Sequence, residues 1–267
     1  MREWSVINPT SPPLLEVQNL SKYFRGLRAL DDYQLRLVPL VIHGVIGPNG
    51  AGKTTLFHLL TGFLKPTSGT TRLLGQDITG LPAHRIARLG IARTFQNIRL
   101  FGNLSVLDNV KVALQSQMPV SLLGTLVSSP SFLRRERELD ARARDLLELV
   151  GLAGRRDHLA HNLPYGDQRR LEIARAVAID PKILLLDEPN AGMNPNETNE
   201  LLMLIRRLRD DLRITIILVA HDIPLVMNLC EQIQVLNYGE LIAEGDPVSV
   251  RNNPDVIAAY LGQATYA

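Results

Sequence analysis

The stretch Gly47-Pro48-Asn49-Gly50-Ala51-Gly52-Lys53-Thr54 matches a phosphate-binding loop: a glycine, four residues, then Gly-Lys-Thr. Glycine permits positive φ angles and lets backbone N–H groups approach phosphate oxygens. The helix expected to begin near Lys53 would direct its positive N-terminal end at the same anion. Lys53 can reach the β- and γ-phosphates, and the Thr54 hydroxyl is placed to bind Mg²⁺. The predicted nucleotide-binding residues here are Gly47, Pro48, Asn49, Gly50, Ala51, Gly52, Lys53, Thr54 and Thr55.

Two carboxylates follow an apolar run that is typical of a strand buried on both faces of a parallel sheet. The run Ile183–Leu186 leads directly to Asp187 and Glu188. Because open parallel sheets bind ligands at the carboxyl ends of their strands, we expect both carboxylates near the phosphate. Asp187 can hold Mg²⁺, usually through water, and Glu188 is then free to polarise a water for attack on the γ-phosphorus. A helix cap or surface turn is the alternative, which a complete phosphate loop in the same chain disfavours.

Other strand ends carry polar groups as well. His221 follows the apolar run Ile214–Ala220 and is placed to contact the γ-phosphate, while Gln96, after the strand-like Ile91–Phe95, is placed to bridge the water and the metal. The predicted catalytic residues are therefore Glu188, His221 and Gln96, and the predicted metal ligands are Thr54, Gln96 and Asp187. An aromatic at Tyr23 or Phe24 has two open interpretations: stacking on a purine, or covering a sheet edge.

The elements that must position these residues form one predicted ATPase domain over residues 14–267, after a flexible leader at residues 1–13. The chain has 267 residues, a formal net charge of +2 and one cysteine, Cys230, which is predicted to be buried and fits a reducing compartment. Hydrophobic content of 45% argues against disorder. No apolar run approaches the roughly 18–20 residues of a membrane span.

Basic residues between Arg134 and Arg144 alternate with acidic ones and lack interleaved aromatics. This pattern predicts a solvated helix face rather than a nucleic-acid patch. The small net charge also provides no global field that would attract nucleic acid. We therefore expect no nucleic-acid partner.

Taken in order along the chain, the motifs resemble those of ABC-transporter ATPase subunits. The motifs are Gly47–Thr54, Gln96, Tyr165–Gln168, Leu185–Pro189, Ala191–Pro195 and His221-Asp222. Further stretches are similar to the LivG-type branch, the ATP-binding subunits of branched-chain amino acid importers. These stretches are Arg93–Gln96, Arg99–Phe101, Tyr165–Arg175 and Arg251–Ile257, continuing to Gly262. The resemblance implies an α/β fold: a P-loop NTPase core of the ABC type with a mostly parallel sheet, an antiparallel β subdomain and an α-helical subdomain inserted at about residues 101–165.

The resemblance also implies ATP and Mg²⁺ as cofactors and a mechanism that needs two cassettes. Two subunits facing head to tail would enclose two ATP molecules, each between one phosphate loop and the other subunit's signature segment, Leu163–Asp167. Tyr165, Gly166 and Asp167 would then bind nucleotide, and the helix starting near Gln168 would point at the opposite γ-phosphate. For the adenine-stacking position, the family spacing favours Phe24, with Tyr23 second.

The partners implied are a second cassette, either LivF-like or a second copy, two transmembrane permease subunits and, indirectly, a periplasmic solute-binding protein. The implied location is peripheral, at the cytoplasmic face of the inner membrane. Gln96 and Asn97–Asn103 would lie where the nucleotide site meets the membrane subunit. Substrates implied are branched-chain or other neutral amino acids. Alternatives are a urea or amide importer, a lipid-export ATPase, a nucleic-acid-associated ABC ATPase, or a non-hydrolytic scaffold, against which Glu188 argues.

Three positions depart from the family pattern. Pro164 stands where a serine hydroxyl usually contacts the γ-phosphate, so we expect weaker but working composite sites. Leu40-Val41 replaces the common Gly-Glu turn, and Ala220 replaces the acidic residue that often precedes the histidine. These two changes should tune stability rather than abolish turnover.

Overall fold

The computed structural model describes residues 12–116, 130–220 and 222–264. His221 and most of the predicted leader lie outside these ranges. So does most of Ser121–Ser131, where glycine, serine and proline in the sequence predict a loose segment. The chain divides into two compact units, one from Met1–Ile86 with Leu212–Ala267 and the other from Ala87–Asp211. None of the described helices combines the length and apolar character that a bilayer span requires.

The first unit contains an antiparallel sheet with the strand order β2-β1-β4-β5. Its strands are β1 Leu15–Phe24, β2 Leu27–Leu37, β4 Ser68–Leu73 and β5 Gln76–Asp77. Leu15 lies opposite Leu37 on one side and opposite Leu73 on the other, so apolar residues from three strands meet on the buried face. The sheet ends at a tight β1–β2 turn that leaves Phe24 near its tip.

A second, mainly parallel sheet delivers the chain to the phosphate loop. Strand β3, Ile42–Ile46, is parallel to β8, Thr215–Val219, and to β9, Gln232–Asn237. Strand β10, Glu240–Gly245, closes an antiparallel hairpin with β9. All five residues of β3 and all five of β8 are buried, as expected for strands covered on both faces.

Five helices lie wholly or partly in this unit: α1 Lys53–Leu60, α2 Ala83–Leu89, α7 Ile223–Leu229, α8 Pro247–Arg251 and α9 Pro254–Ala264. The cap of α7 is Asp222, whose carboxylate accepts the Leu225 N–H at 3.0 Å. Cys230 follows this helix and is buried, which confirms the prediction made for it.

The second unit pairs two short parallel strands with helices. Strand β6, Ile91–Arg93, runs alongside β7, Ile183–Asp187, with Arg93 opposite Leu185. The helices are α3 Val106–Gln115, α4 Pro130–Leu149, α5 Tyr165–Val177 and α6 Pro195–Asp210, with 3₁₀ turns at Ala153–Arg155 and Ala160–Asn162. Helix α6 begins with a capping box, in which Asn194 and Glu197 satisfy each other's backbone N–H groups.

Two sequence predictions for this unit were wrong in extent. The strand predicted over Ile91–Phe95 ends at Arg93, because the Phe95 N–H bonds the Glu172 carboxylate at 3.1 Å instead of a strand partner. The sequence pattern predicts a charged amphipathic helix over Leu139–Val150, but the helix already begins at Pro130 and ends at Leu149. On its exposed face, Arg134 pairs with Glu138 and Arg144 with Asp140, which agrees with the predicted solvated helix surface.

Candidate functional site

The phosphate loop has a backbone that only glycine can supply at its two ends. Gly47 has a φ of +150°, and a Cβ there would lie 2.1 Å from the Leu236 carbonyl oxygen. Gly52 is the N-cap of α1 with a φ of 106°, and its Cβ would lie 2.6 Å from the Ala29 carbonyl oxygen. Neither position has room for a side chain. Glycine is therefore required at Gly47 and Gly52 both for the positive φ angle and because neighbouring backbone lies too close.

The lysine of the loop is held inside it. Lys53 Nζ donates to the carbonyl oxygens of Gly47 at 2.6 Å and of Pro48 at 2.9 Å, and only 6% of the residue is exposed. The ammonium therefore lies at the loop, with the first turn of α1 behind it. N–H groups in the first turn of a helix have no intrahelical acceptor, and they carry the positive end of the helix dipole. Lysine and helix end together form an anion-binding arrangement.

The remaining loop residues divide by exposure. Pro48 and Ala51 are buried and joined by a turn, in which the Ala51 N–H donates to the Pro48 oxygen at 3.1 Å. Asn49, Gly50 and Thr54 are exposed, and Thr55 is half-buried. The Thr54 hydroxyl can therefore be reached from solvent, as a metal ligand at the first helical turn must be.

The two candidate aromatic residues differ in how their rings are engaged. The Tyr23 hydroxyl donates to Asp31 Oδ1 at 2.6 Å, and this bond raises the pKa of Tyr23. Phe24 is 42% exposed, and Lys22 Nζ lies 5.1 Å from its ring centroid. Tyr23 is 40% exposed, so the two rings are about equally open to solvent and differ in that the Tyr23 hydroxyl is bonded to Asp31. Stacking of Phe24 on a purine stays a prediction.

In the second unit, each strand-end carboxylate has a partner from the segment around β6. Arg93 Nη2 lies 2.7 Å from Asp187 Oδ2, and the two side chains are only 5% and 6% exposed. Gln96 Nε2 donates to Glu188 Oε2 at 3.1 Å. Gln96 and Glu188, both predicted catalytic residues, are therefore brought together. The pairing of Arg93 with Asp187 was not foreseen.

Glu188 also has an unusual backbone. Its φ of 46° places it in the left-handed region, which is uncommon for a residue other than glycine. Backbone of this kind costs on the order of 1–3 kcal/mol and persists where surrounding structure enforces it, often at functional sites. Glu188 therefore has a left-handed backbone directly after β7, where the sequence pattern predicts the general base.

The segment that carries Gln96 is held by helix α5. Arg169, which is 1% exposed, donates to the Phe95 and Gln96 carbonyl oxygens, and it also pairs with Glu172 at 2.9 Å. Burial raises the pKa of Glu172, while the Phe95 N–H and the Arg169 guanidinium oppose that shift. The buried Arg169–Glu172 pair therefore holds the backbone of Phe95 and Gln96 in place.

The signature segment forms the start of the same helix. Asp167 is buried and paired with Arg155 and with Arg170 Nη2, the latter at 2.5 Å. Gly166 packs so closely that a Cβ would lie 2.9 Å from Glu197 Oε1. Tyr165 is 44% exposed, with its ring against Gly192. Asp167 is thus paired with two arginines, whereas Tyr165 and the N-cap residue Pro164 are exposed.

The donors expected for Mg²⁺ are a threonine hydroxyl, a carboxylate and an amide oxygen, all of the hard-oxygen type that this ion prefers. Within the described ranges no group of three or more His, Cys, Asp or Glu side chains could hold a metal alone. Mg²⁺ in nucleotide sites takes one or two protein ligands, with phosphates and waters completing its shell. Thr54 and Asp187 carry oxygens of this type: Thr54 is exposed in the first unit, and Asp187 is buried beside Arg93 in the second, so their role as metal ligands stays a prediction. His221 lies outside the described residues, so its predicted role stays a prediction.

Sequence reasoning missed the arginines that hold the site's backbone and carboxylates. Arg93 was noted only as part of a motif, and Arg155 and Arg169 carried no assigned role. Arg93 pairs with Asp187, Arg155 pairs with Asp167, and Arg169 bonds the backbone at Phe95 and Gln96. These partners are distant in sequence, so no local pattern predicts the pairings. A weak signal existed for Arg93, because a charged residue in a three-residue buried strand needs a counterion.

The sequence is similar to two protein families and to curated transport proteins. Residues 30–191 match the family model described as ABC transporter, and residues 240–265 match one described as branched-chain amino acid ATP-binding cassette transporter. The chain is 50% identical over 254 residues to the high-affinity branched-chain amino acid transport ATP-binding protein LivG of Escherichia coli K12, covering 95% of this chain and 100% of the relative.

Two solved structures are also similar. One, an ATP-binding cassette of an ABC transporter in its ADP conformation, superposes with a TM-score of 0.81 at 30% identity, covering 93% of this chain and 98% of that one. The other, a dimeric cassette in a post-hydrolysis state bound to ADP and Pi, has a TM-score of 0.74 at 25% identity and covers 87% of this chain and 98% of that one. These likenesses confirm the predicted fold class.

Proposed function

The chain belongs to the ABC transporter family, and from this premise we propose that it is the ATP-binding and ATP-hydrolysing subunit of an importer for branched-chain or other neutral amino acids. The observation that carries the proposal is the phosphate loop, where Lys53 is buried against the Gly47 carbonyl and α1 starts directly behind it. The similarity of its C-terminal stretch to branched-chain transport cassettes supports the substrate class.

In this proposal the phosphate loop binds the β- and γ-phosphates of ATP. The Lys53 ammonium turns from the loop carbonyls to the phosphate oxygens, which offer a charged acceptor in place of a neutral one. The Phe24 ring stacks on adenine. Thr54, Asp187 and Gln96 would hold Mg²⁺, and the ion would supply positive charge that neutralises the phosphates.

Hydrolysis depends on the strand-end residues. Glu188 accepts a proton from the attacking water, and the Gln96 amide, 3.1 Å from the Glu188 carboxylate, orients both. The hydrogen bond from Gln96 helps to hold the Glu188 carboxylate in place before ATP binds, which is a form of pre-organisation. His221 contacts the γ-phosphate.

A second cassette completes each site. The start of α5 faces the γ-phosphate bound by the partner, and its helix dipole favours the anion. Of its predicted nucleotide-binding residues, Tyr165 is exposed, whereas Gly166 and Asp167 are buried and support the helix start from within. The partner is a related LivF-like cassette or a second copy. Support comes from the solved cassette that is dimeric with ADP and Pi. Pro164 supplies no side-chain cap at this helix start, so the contact to phosphate is made by backbone and dipole.

ATP-driven closure of the two cassettes would be transmitted to two permease subunits in the membrane. This chain would bind them at the cytoplasmic face, and the solute-binding protein would act on the other side of the membrane. The surface suited to that contact begins after Gln96. Phe101 is 46% exposed there, and the Arg175 guanidinium lies 4.7 Å from its ring centroid. Arg175 also donates to the Arg99 carbonyl oxygen, so the exposed ring is anchored to helix α5.

The proposal is tested by uptake of labelled leucine in cells that lack this chain and are complemented with wild type, with Glu188→Gln, or with Glu148→Gln as an exposed control on α4. We expect wild type and the control to restore uptake and Glu188→Gln to abolish it. Full uptake by Glu188→Gln would refute the base assignment. Restoration of urea or lipid transport, without leucine uptake, would refute the substrate class.

A further inference from the structure

Helix α5 holds the backbone of the two residues that follow Thr94. The Thr94 N–H still donates to strand β7, at 3.0 Å. The Phe95 N–H donates to Glu172 Oε1 at 3.1 Å instead. Arg169 donates through Nη1 to the Phe95 carbonyl oxygen and through Nη2 to that of Gln96. Two side chains of one helix therefore satisfy three backbone groups that lie beyond the end of β6.

Arg169 and Glu172 form a buried ion pair. Arg169 Nη1 lies 2.9 Å from Glu172 Oε2, and the side chains are 1% and 6% exposed. The desolvation penalty of two buried charges can exceed their attraction, so such a pair is weak evidence for stability. The guanidinium is a rigid planar fork, however, and two of its nitrogens fix the carbonyl oxygens of consecutive residues relative to α5. These contacts indicate that the pair sets the position of the backbone.

Gln96 depends on that backbone because its own side chain is exposed. Its Nε2 donates at 3.1 Å to Glu188 Oε2, which belongs to the proposed general base. Ordering an exposed glutamine costs side-chain entropy, and movement of its backbone would carry the amide away from the carboxylate. A misplacement of about 1 Å can cost on the order of 100-fold in rate, so the residues that hold this backbone affect hydrolysis.

We propose that Arg169 and Glu172 are positioning residues for ATP hydrolysis, which hold the backbone of Phe95 and Gln96 so that the Gln96 amide stays within hydrogen-bond distance of Glu188. The inference rests on the proposed roles of Gln96 and Glu188. Both positioning residues are buried on α5, and they act through Gln96. They therefore control the rate at saturating ATP and leave the affinity for ATP unchanged.

Arg169→Lys tests the role of the guanidinium fork. Lysine keeps the positive charge beside Glu172, but a single ammonium does not reproduce the contact with both carbonyl oxygens. ATP hydrolysis by the full chain is measured over a range of Mg·ATP concentrations. We expect kcat to fall about 10- to 100-fold while KM changes less than about twofold. Arg134→Lys, on the exposed face of α4, is the matched control and should hydrolyse ATP like wild type.

A double variant separates positioning from general structural support. If Arg169 acts through Gln96, then Arg169→Lys should not slow Gln96→Ala any further. Equal slowing in the wild-type and Gln96→Ala backgrounds would overturn the inference, and so would a wild-type kcat in Arg169→Lys alone. Glu172→Gln serves if Arg169→Lys does not fold, since it keeps the volume and an acceptor oxygen. Its kcat should fall about three- to tenfold, again only when Gln96 is present.

Amide hydrogen exchange measures the backbone directly. The peptide that contains Phe95 and Gln96 should exchange about three- to tenfold faster in Arg169→Lys than in wild type, and at the wild-type rate in Arg134→Lys. Unchanged exchange in Arg169→Lys would overturn the inference. Absence of ATP hydrolysis in the wild-type chain would refute the proposed function as a whole. Wild-type hydrolysis with unaltered kcat and exchange in Arg169→Lys would refute this inference alone, so the two failures are distinguishable.

Discussion

Removing the charge of Arg93 should destabilise the second unit strongly. Arg93→Gln keeps a polar side chain but leaves the Asp187 carboxylate buried without its cation. The two side chains are 5% and 6% exposed and 2.7 Å apart, so solvent screens the carboxylate only weakly once its partner is lost. Breaking a buried ion pair by removing one member costs about 3–5 kcal/mol of unfolding free energy.

The chain contains a matched control for this change. Arg134 and Glu138 form an exposed pair on α4, at 3.3 Å, with side chains 84% and 61% exposed. Pairs of this kind contribute roughly 0–1 kcal/mol. Arg134→Gln should therefore lower the unfolding free energy by less than about 1 kcal/mol, although the substitution is chemically the same.

Urea unfolding followed by far-UV circular dichroism measures both variants, together with Asp187→Asn and the Arg93→Gln/Asp187→Asn double variant. Because the double variant leaves no unpaired charge, the two single losses should not add, with a coupling energy of roughly 1.5–3 kcal/mol. A loss below about 1 kcal/mol in Arg93→Gln, or additive losses in the cycle, would refute the buried-pair reasoning.

Three further predictions follow from other parts of the fold. His43 is fully buried, and burial lowers its pKa from 6.5 to about 4, so the unfolded chain binds a proton in that window that the folded chain does not. Unfolding free energy should therefore fall as pH drops from 6.5 to 4, by up to roughly 3 kcal/mol, and an unaltered slope in His43→Leu would contradict this. Asn194→Ala removes the capping box of α6 and should cost about 1 kcal/mol in urea unfolding, whereas no loss would show that the cap is dispensable. Chelating Mg²⁺ should abolish ATP hydrolysis while ADP still binds, and hydrolysis that persists in excess chelator would exclude the proposed metal role.

Local patterns made much of the fold predictable. The sequence patterns predict a short helix over Ala83–Leu89, a buried strand over Ile183–Leu186, and a hairpin of Ile233–Leu236 and Glu240–Ala243. Helix α2, strand β7 and the β9–β10 hairpin lie at these places, because short-range apolar runs and turn residues set them. The phosphate loop was equally predictable, since its glycines, lysine and threonine lie close together in sequence. The fold class followed from the motif order.

The contacts that support the site could not be predicted in this way. Arg93 and Asp187 lie in different strands, so no periodicity of the sequence links the pair. The early end of β6 at Arg93 also depends on a contact between residues distant in sequence. The Phe95 N–H leaves the strand ladder for Glu172, a residue on α5. Side-chain competition for backbone groups is decided by tertiary structure.

The nucleotide-binding role of the phosphate loop is tested most directly by calorimetric titration of the purified chain with Mg·ATP. Lys53→Ala is compared with wild type and with Lys65→Ala, an exposed control. We expect one ATP per wild-type chain, the same for Lys65→Ala, and binding weakened about 10- to 150-fold in Lys53→Ala, the range of a charge-assisted hydrogen bond. Equal affinity in all three proteins would contradict the proposal that this loop holds the triphosphate.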